Sequence, residues 1–151
     1  MREILFKAKR IGNGEWAEGL LVLLTKISIT DLDGELEFEK VLAIQNSSVG
    51  SIEIDESTIC QYTGLTDKNG NKIWESDIVK KHFYTDYDMF ANSEEYIGKV
   101  EYIDCAWCIR WKRDDYMVTI PIFMALGESH DAEYFEVIGN IFDNPELLGK
   151  E

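Results

Sequence analysis

Proline and long apolar runs are both scarce in this sequence. Only two prolines and eleven glycines occur among 151 residues, so no proline- or glycine-rich linker divides the chain. The longest aliphatic run, from Leu20 to Leu24, has the length of a strand, whereas a membrane-spanning helix needs about 18 apolar residues or more. The amino terminus also lacks the long apolar core of a signal peptide. We therefore expect a cytoplasmic protein with no membrane partner.

Cysteine is scarce too, and its count is odd. The chain has Cys60, Cys105 and Cys108, which argues against a disulfide framework and fits a reducing cytoplasm. Cys105 and Cys108 form a C-x-x-C pair, a spacing that occurs in zinc and redox sites. However, the pair lies in an alternating segment that predicts a strand, where the two thiols would point to opposite faces. We therefore interpret Cys105 as a small core residue and predict no metal site.

Basic residues are few relative to acidic ones. The chain has 15 Lys and Arg against 29 Asp and Glu, for a formal net charge of −14. Affinity for nucleic acid comes largely from Lys and Arg that neutralise phosphates, so nucleic acid is the less expected partner. The acidity could attract a basic partner or imitate DNA, but the simplest interpretation is solubility.

The residues that are present predict short strands separated by turns. At 151 residues the chain suits one domain or a compact pair of small ones. In "DLDGELEFEKVLAI", Leu36 and Phe38 alternate with Glu35, Glu37 and Glu39. This period of two is typical of an edge or outer strand with an acidic outward face.

The segment "IDCAWCIRW" gives the clearest strand prediction. Alternation places one set of side chains on a single face: Ile103, Cys105, Trp107, Ile109 and Trp111. The partner strand is "YMVTIPIF", where Pro121 cannot donate a ladder hydrogen bond and so belongs at an edge or bulge. Helix is expected only at 123–127 and at 145–148, and a loop or insertion at Tyr84–Glu95. Short strands with frequent turns predict a small barrel or sandwich.

No cluster of side chains has the spacing that catalysis or metal binding requires. Two Asp- and Gly-containing turns begin like calcium loops, but the twelfth residue, which should be Glu, is Leu42 in one and Ile78 in the other. Two histidine groups are local and lack a further partner: His82 with Asp86 and Asp88, and His130 with Asp131 and Glu133. We interpret one basic group as a solvated hairpin end: Arg110, Lys112 and Arg113. The sequence therefore predicts no catalytic residue, no metal and no cofactor, and it leaves the binding residues unknown.

Three motifs nevertheless resemble one family. They are "NGEWAEGLLV", "QYTGLTDKNGNKIWESDIV" and "VIGNIFDNPELL", and in this order and spacing they resemble the YopX family of phage and prophage proteins. The family pattern falls on Gly14, Glu15, Trp16, Gly19, 61–65, 67–70, 73–75, 77–79, 138–141 and 144–148. Ser76 stands where the family usually has glycine, so any positive φ at that position must be relaxed or adopted by serine.

The resemblance implies a fold but no chemistry. It implies a mainly β protein, with an SH3-like small barrel in residues 61–151 and an N-terminal β-rich segment, residues 1–60, packed against it; the two parts could also fold as one compact unit. Gly70 would be the left-handed residue of a hairpin turn, Ile78 would face inward, and Asp77 would hydrogen-bond a turn. The family's activity is undetermined, and it supplies no catalytic residues to carry over.

These observations favour a non-enzymatic accessory protein of a phage or prophage, acting in the bacterial cytoplasm. We expect a protein-binding module whose partner is a host or phage protein, with a homo-oligomer left open. The first alternative is a nucleic-acid-associated factor, which rests on analogy with other SH3-like barrels. The second is an acidic DNA mimic that uses Glu35, Glu37 and Glu39.

Overall fold

The computed structural model describes residues 3–29, 35–81, 96–122 and 135–149. Several predicted features lie outside these ranges: the helix at 123–127, the segment Tyr84–Glu95 and both histidine groups. The described residues form antiparallel strands and two short 3-10 helices, which confirms the mainly β prediction. The chain divides into two compact units, residues 1–61 and 62–151.

The first unit is an antiparallel sheet. Its strands are β1 (Phe6–Lys9), β2 (Trp16–Ile29), β3 (Leu36–Asn46) and β4 (Gly50–Glu53), followed by a 3-10 helix at Glu56–Thr58 and the start of β5 (Cys60–Thr66). The strand order is β4-β3-β2-β1-β5. The core consists of small and aliphatic side chains, Ala8, Ala17, Ile44 and Ile54.

The β2–β3 hairpin is the longest element of the first unit. Its register runs without interruption from Leu20 opposite Gln45 to Ile29 opposite Leu36. Gly19 lies at its base, where a Cβ atom would collide with the backbone oxygen of Gln45. Glycine at this motif position therefore allows the two strands to approach closely.

The second unit contains a two-stranded pairing and a five-stranded sheet. The end of β5 pairs with β6 (Lys72–Trp74). The larger sheet has the order β10-β9-β8-β7-β11 and comprises β7 (Asp77–Lys81), β8 (Tyr96–Ile103), β9 (Ala106–Arg113), β10 (Tyr116–Pro121) and β11 (Phe135–Asn140). A 3-10 helix at Pro145–Leu148 follows, as predicted. Among the described residues these strands form no closed barrel.

The core of the second unit is larger and includes aromatic side chains. The fully buried set is Ile73, Val79, Val100, Ile109, Ile122 and Phe135, against which Trp107 and Trp111 pack. The prediction that Trp107, Ile109 and Trp111 share a core face is therefore confirmed. Pro121 ends β10, the outermost of the described strands in the sheet order, so its predicted edge position is confirmed within the described part of the chain.

The prediction of one continuous strand through Cys105 is wrong. Asp104 and Cys105 have positive φ angles of 49° and 63° and form the turn between β8 and β9. Positive φ at both central residues is the property of a tight hairpin turn whose twist matches the strands. Cys105 is consequently exposed rather than in the core, whereas Cys108 is buried. Because Ile103 pairs with Ala106, Ile103 lies on the opposite face from Trp107.

The predicted alternation in β3 is confirmed, but its interpretation as an edge strand with one acidic face is incomplete. β4 covers the far edge of β3 at Ala43–Asn46, so this part of β3 is internal. Glu35, Glu37 and Glu39 are exposed, as expected, yet Leu36 and Phe38 on the other face are exposed as well.

Candidate binding surfaces

The Asp67 carboxylate organises the turn between β5 and β6. One oxygen, Oδ1, accepts hydrogen bonds from the backbone N–H groups of Asn69 (2.9 Å) and Asn71 (2.8 Å). The other, Oδ2, accepts from Nδ2 of Asn71 (3.2 Å) and from the backbone N–H of Val137 in β11 (3.0 Å). Gly70 closes the turn with a φ of 83°, which confirms the predicted left-handed residue. Asp67 thus joins a local turn to a strand 70 positions away.

The environment of Asp67 also changes its pKa. Burial alone would raise the pKa of this carboxyl, but the hydrogen bonds from Val137, Asn71 and Asn69 favour the charged form. The net result is a pKa below the ordinary value. The carboxylate is therefore ionised at neutral pH and saturated with donors, which makes it a structural group and a poor candidate for a general acid or base.

The turn between β6 and β7 is held in the same way. Asp77 accepts a hydrogen bond from the backbone N–H of Trp74 at 2.8 Å, as predicted, and Ile78 is fully buried, also as predicted. Ser76 has a φ of 65°, so serine itself adopts the left-handed conformation usually given to glycine. Its backbone N–H donates to Val100 and its carbonyl accepts from Ile141. Backbone contacts therefore link this turn to β8 and to the residue that follows β11.

The third motif closes a turn after β11. Oδ1 of Asn140 accepts from the backbone N–H groups of Phe142 (2.9 Å) and Asp143 (3.0 Å). A Cβ atom on Gly139 would lie 2.6 Å from Oδ1 of Asn144 and 2.9 Å from Cδ1 of Leu147. The motif side chains are thus occupied in shaping the backbone, and they do not converge on a shared site.

The cysteines do not form a site either. Cys105 is exposed in its turn, while the Cys108 thiol lies near the carbonyls of Ala106 and Ile103 at 3.7 Å and 3.9 Å. Burial, followed by the nearby charge of Asp104, raises the pKa of the Cys108 thiol, which makes it less reactive. Within the described ranges, no group of three or more His, Cys, Asp or Glu side chains is arranged to hold a metal ion.

An open groove of about 300 Å³ lies on the outer face of β8, β9 and β10. Its lining combines three basic side chains, one carboxylate and several apolar groups: Lys99, Arg110, Lys112, Glu101, Ile97, Trp111, Met117 and Leu148. Nζ of Lys99 is 2.8 Å from Oε1 of Glu101, and a guanidinium nitrogen of Arg110 is 3.6 Å from Oε2. The groove therefore has a local excess of positive charge on a chain whose net charge is −14.

A second open depression, of about 670 Å³, belongs to the first unit. Residues of β1, β3 and β4 line it, with charges of both signs such as Arg10, Lys40, Glu39 and Glu53. Its charges are mixed and its opening is wide, so it offers no convergent set of groups for a small ligand.

The outer part of the β2–β3 hairpin bears exposed apolar side chains. We call this part the β2–β3 arm and define it as residues 23–29 and 36–42. β1 pairs with β2 only at Trp16–Gly19, and β4 pairs with β3 only at Ala43–Asn46. The exposed fractions on one face are large: Leu23 60%, Ile27 59%, Ile29 71%, Leu36 54% and Phe38 66%.

Comparison with known proteins places these features in a family. A family model described as YopX protein matches residues 6–149, nearly the whole chain. The chain belongs to the YopX family. A crystal structure of a protein designated EF1440, from Enterococcus faecalis, is similar to this chain, with a TM-score of 0.52 and 24% sequence identity. The match covers 98% of this chain and 99% of the E. faecalis chain. That likeness supports the same fold for this YopX family member. None of the curated proteins compared with the chain matches it.

The structure adjusts what the sequence indicated about the binding surface. Arg110 and Lys112 are exposed, as expected for a solvated hairpin end, and they also line the groove. Lys99 and Met117 were missed because they lie on neighbouring strands and meet Arg110 and Lys112 only through the register. No helix among the described residues is both long and apolar enough to cross a membrane.

Proposed function

We propose that this YopX family member is a non-enzymatic protein-binding module, encoded by a phage or prophage and acting in the bacterial cytoplasm. The groove between β8, β9 and β10 carries the proposal. Its partner would be a host or phage protein that presents an extended segment with apolar and acidic side chains. We further propose that the second unit is an SH3-like barrel.

The lining of the groove supports this class of partner. Ile97, Met117 and Leu148 are partly exposed apolar side chains that an apolar residue of a partner could cover. Glu101 lies close to both Lys99 and Arg110, which leaves the positive charge of the groove only partly compensated. An acidic side chain would pair with this remaining charge, and electrostatic attraction of this kind speeds association and selects partners.

The hydrogen bonding of the motif residues supports a role other than catalysis. Asp67 and Asp77 both accept hydrogen bonds from backbone N–H groups. A catalytic carboxylate would instead need access to a substrate proton. Open grooves with dispersed charges suit protein segments better than small substrates, which are usually held in enclosed pockets.

The proposal is tested by affinity capture from infected or lysogenic bacterial cells at near-physiological salt. The double variant R110E/K112E reverses two charges in the groove and should lose the partner that the wild type recovers. The matched control K26E/K68E changes the net charge equally at two exposed positions outside the groove and should retain it. A wild type that recovers no reproducible partner, or a partner retained by R110E/K112E, would refute the proposal.

A DNA mimic is the second candidate, because Glu35, directly before β3, and Glu37 and Glu39 within it are exposed. Lys26 lies opposite Glu39 in the register and is bonded to Glu53 at 2.9 Å, so this face is not uniformly acidic. Capture of a DNA-binding protein that is lost in E35K/E37K/E39K would favour the mimic. Direct binding of DNA or RNA that weakens steeply with salt would favour a nucleic-acid-associated factor.

A further inference from the structure

We propose that the apolar face of the β2–β3 arm binds the same face of a second copy of this chain. This surface belongs to the first unit and shares no residue with the groove, so the inference goes beyond the proposed function. It rests on the pattern and area of the five exposed apolar side chains of the arm and on the charged residues around them.

The apolar face of the arm continues the core of the first unit. Side chains of Leu21, Leu42 and Ile44 lie on this face at the base of the hairpin and belong to the core cluster. Farther out, the cross-strand pairs Ile27–Phe38 and Ile29–Leu36 extend the same face. Successive residues of a strand alternate between faces, so one face runs from buried apolar residues to exposed ones, and the polar pair Thr25–Lys40 crosses it once.

The exposed part reaches the lower limit of area for a specific contact. If each residue is taken at roughly 150–200 Å², near the lower end of the range for aromatic side chains, the exposed fractions of the five residues correspond to about 500–600 Å². This value is at the upper end of the largest apolar patch on a typical monomer, about 300–600 Å². Two such faces together would bury about 1,000–1,200 Å², which reaches the roughly 1,000 Å² that a specific interface requires.

The charge distribution favours a second copy as the occupant. Copies with a net charge of −14 repel one another, so a contact between them must exclude carboxylates. In the register of the hairpin, Glu37 and Glu39 lie on the opposite face of the arm, and the apolar face has Lys40 as its one charged side chain among the arm residues. Two copies can therefore meet through this face without bringing carboxylates together.

The geometry is also compatible with two-fold symmetry. A dimer of this kind uses one patch on both copies, so the patch must complement itself. A two-stranded ribbon with aromatic and β-branched pairs meets this condition, because similar apolar faces of sheets pack against each other in sandwiches. Ile27 and Phe38, one opposite the other at the middle of the exposed stretch, would lie near the centre of the contact.

The experiment measures the oligomeric state of the full chain by sedimentation equilibrium between about 1 and 200 µM. We expect a dimer in the wild type and at least about a 100-fold weaker dimer in I27K/F38K, since each substitution acts on both copies. The matched control I11K/V49K introduces the same charges at two other exposed positions and should dimerise like the wild type. Thermal melts should confirm that all three proteins remain folded.

Other occupants of the arm give different results, and each would overturn the inference. A wild type that is monomeric at 200 µM excludes a second copy. If amide exchange in residues 23–29 and 36–42 of that monomer is slow, a segment of the same chain covers the face. An unaltered dimer in I27K/F38K would place the contact elsewhere. The variant R110E/K112E should remain dimeric, so a failure of the arm contact can be distinguished from a failure of the groove.

Discussion

Replacement of Asp67 by asparagine changes one atom and should destabilise the second unit substantially. In the wild type, Oδ2 accepts hydrogen bonds from Val137 and from Nδ2 of Asn71. The asparagine amide can keep the two bonds at Oδ1 but would direct an NH₂ group at those two donors. Hydrogen bonds to a charged group contribute about 1.5–3 kcal/mol each, and a buried donor without an acceptor costs about 1–3 kcal/mol. We expect Asp67→Asn to lower the free energy of unfolding by about 2–4 kcal/mol at pH 7.

The loss should depend on pH in a defined direction. The pKa of Asp67 is lowered in the folded state, so its contribution is complete above the unfolded pKa of about 3.9. The contribution disappears as the pH falls through the lower, folded pKa. The asparagine variant lacks this contribution at every pH, because its side chain does not titrate. The difference in unfolding free energy between wild type and variant should therefore be largest above about pH 5 and should shrink at lower pH.

Urea denaturation followed by tryptophan fluorescence measures this difference. Three of the four tryptophans lie in the second unit, Trp74, Trp107 and Trp111, so most of the signal reports on that unit. The fourth, Trp16, lies in the first unit. The control is Asp115→Asn in the exposed turn between β9 and β10, which should change the unfolding free energy by less than about 0.5 kcal/mol. A loss below about 1 kcal/mol for Asp67→Asn at pH 7, or an equal loss at pH 7 and pH 3, would refute the reasoning.

Further predictions concern the backbone and the thiols. Ser76→Gly should raise the unfolding free energy by up to about 1 kcal/mol, because relief of the left-handed strain outweighs the added entropy of the unfolded chain. Ser76→Val should lower the unfolding free energy. The reverse order of stabilities would contradict a left-handed Ser76. Gly139→Ala should lower the unfolding free energy by about 1–3 kcal/mol, because the added Cβ atom would collide with the following turn. Gly12→Ala should have little effect, because the space around Gly12 is open. Equal effects of the two substitutions would contradict the packing at Gly139. At pH 8, iodoacetamide should modify exposed Cys105 before buried Cys108, whose pKa is raised, as measured by mass spectrometry of the digested protein. Faster modification of Cys108 would contradict its burial.

Features determined by local chemistry were predictable from the sequence. Gly70, Asp77 and Ile78 occupy their expected roles because turn residues and alternating burial act over a few neighbouring positions. The turn at Asp104 and Cys105 was not predictable in the same way. It contains no glycine, and the alternation of apolar residues appeared to continue through it. A two-residue turn reverses the relation between residue parity and face, which is why the sequence pattern places Cys105 in the core although it is exposed.

The exposure of the arm could not be predicted either, for a different physical reason. An alternating strand has the same pattern whether its apolar face is covered or bare. In this chain the difference is set by the lengths of neighbouring strands, since β1 ends its pairing at Gly19 and β4 begins its pairing at Ala43. Strand length depends on tertiary pairing, so Phe38 reads as a core residue in the sequence and is exposed in the structure.

The residues that identify the family and the residues proposed to bind partners are different sets, and their chemistry explains the separation. Asp67, Asp77 and Asn140 contact backbone N–H groups, and such contacts require one side chain in one place. The groove and the arm require only charge or apolar area, which many residues can supply. A signature of this kind can therefore assign the chain to the YopX family while it contains no information about the partner. That information lies in side chains such as Lys112 and Ile27, whose roles depend on the strands beside them.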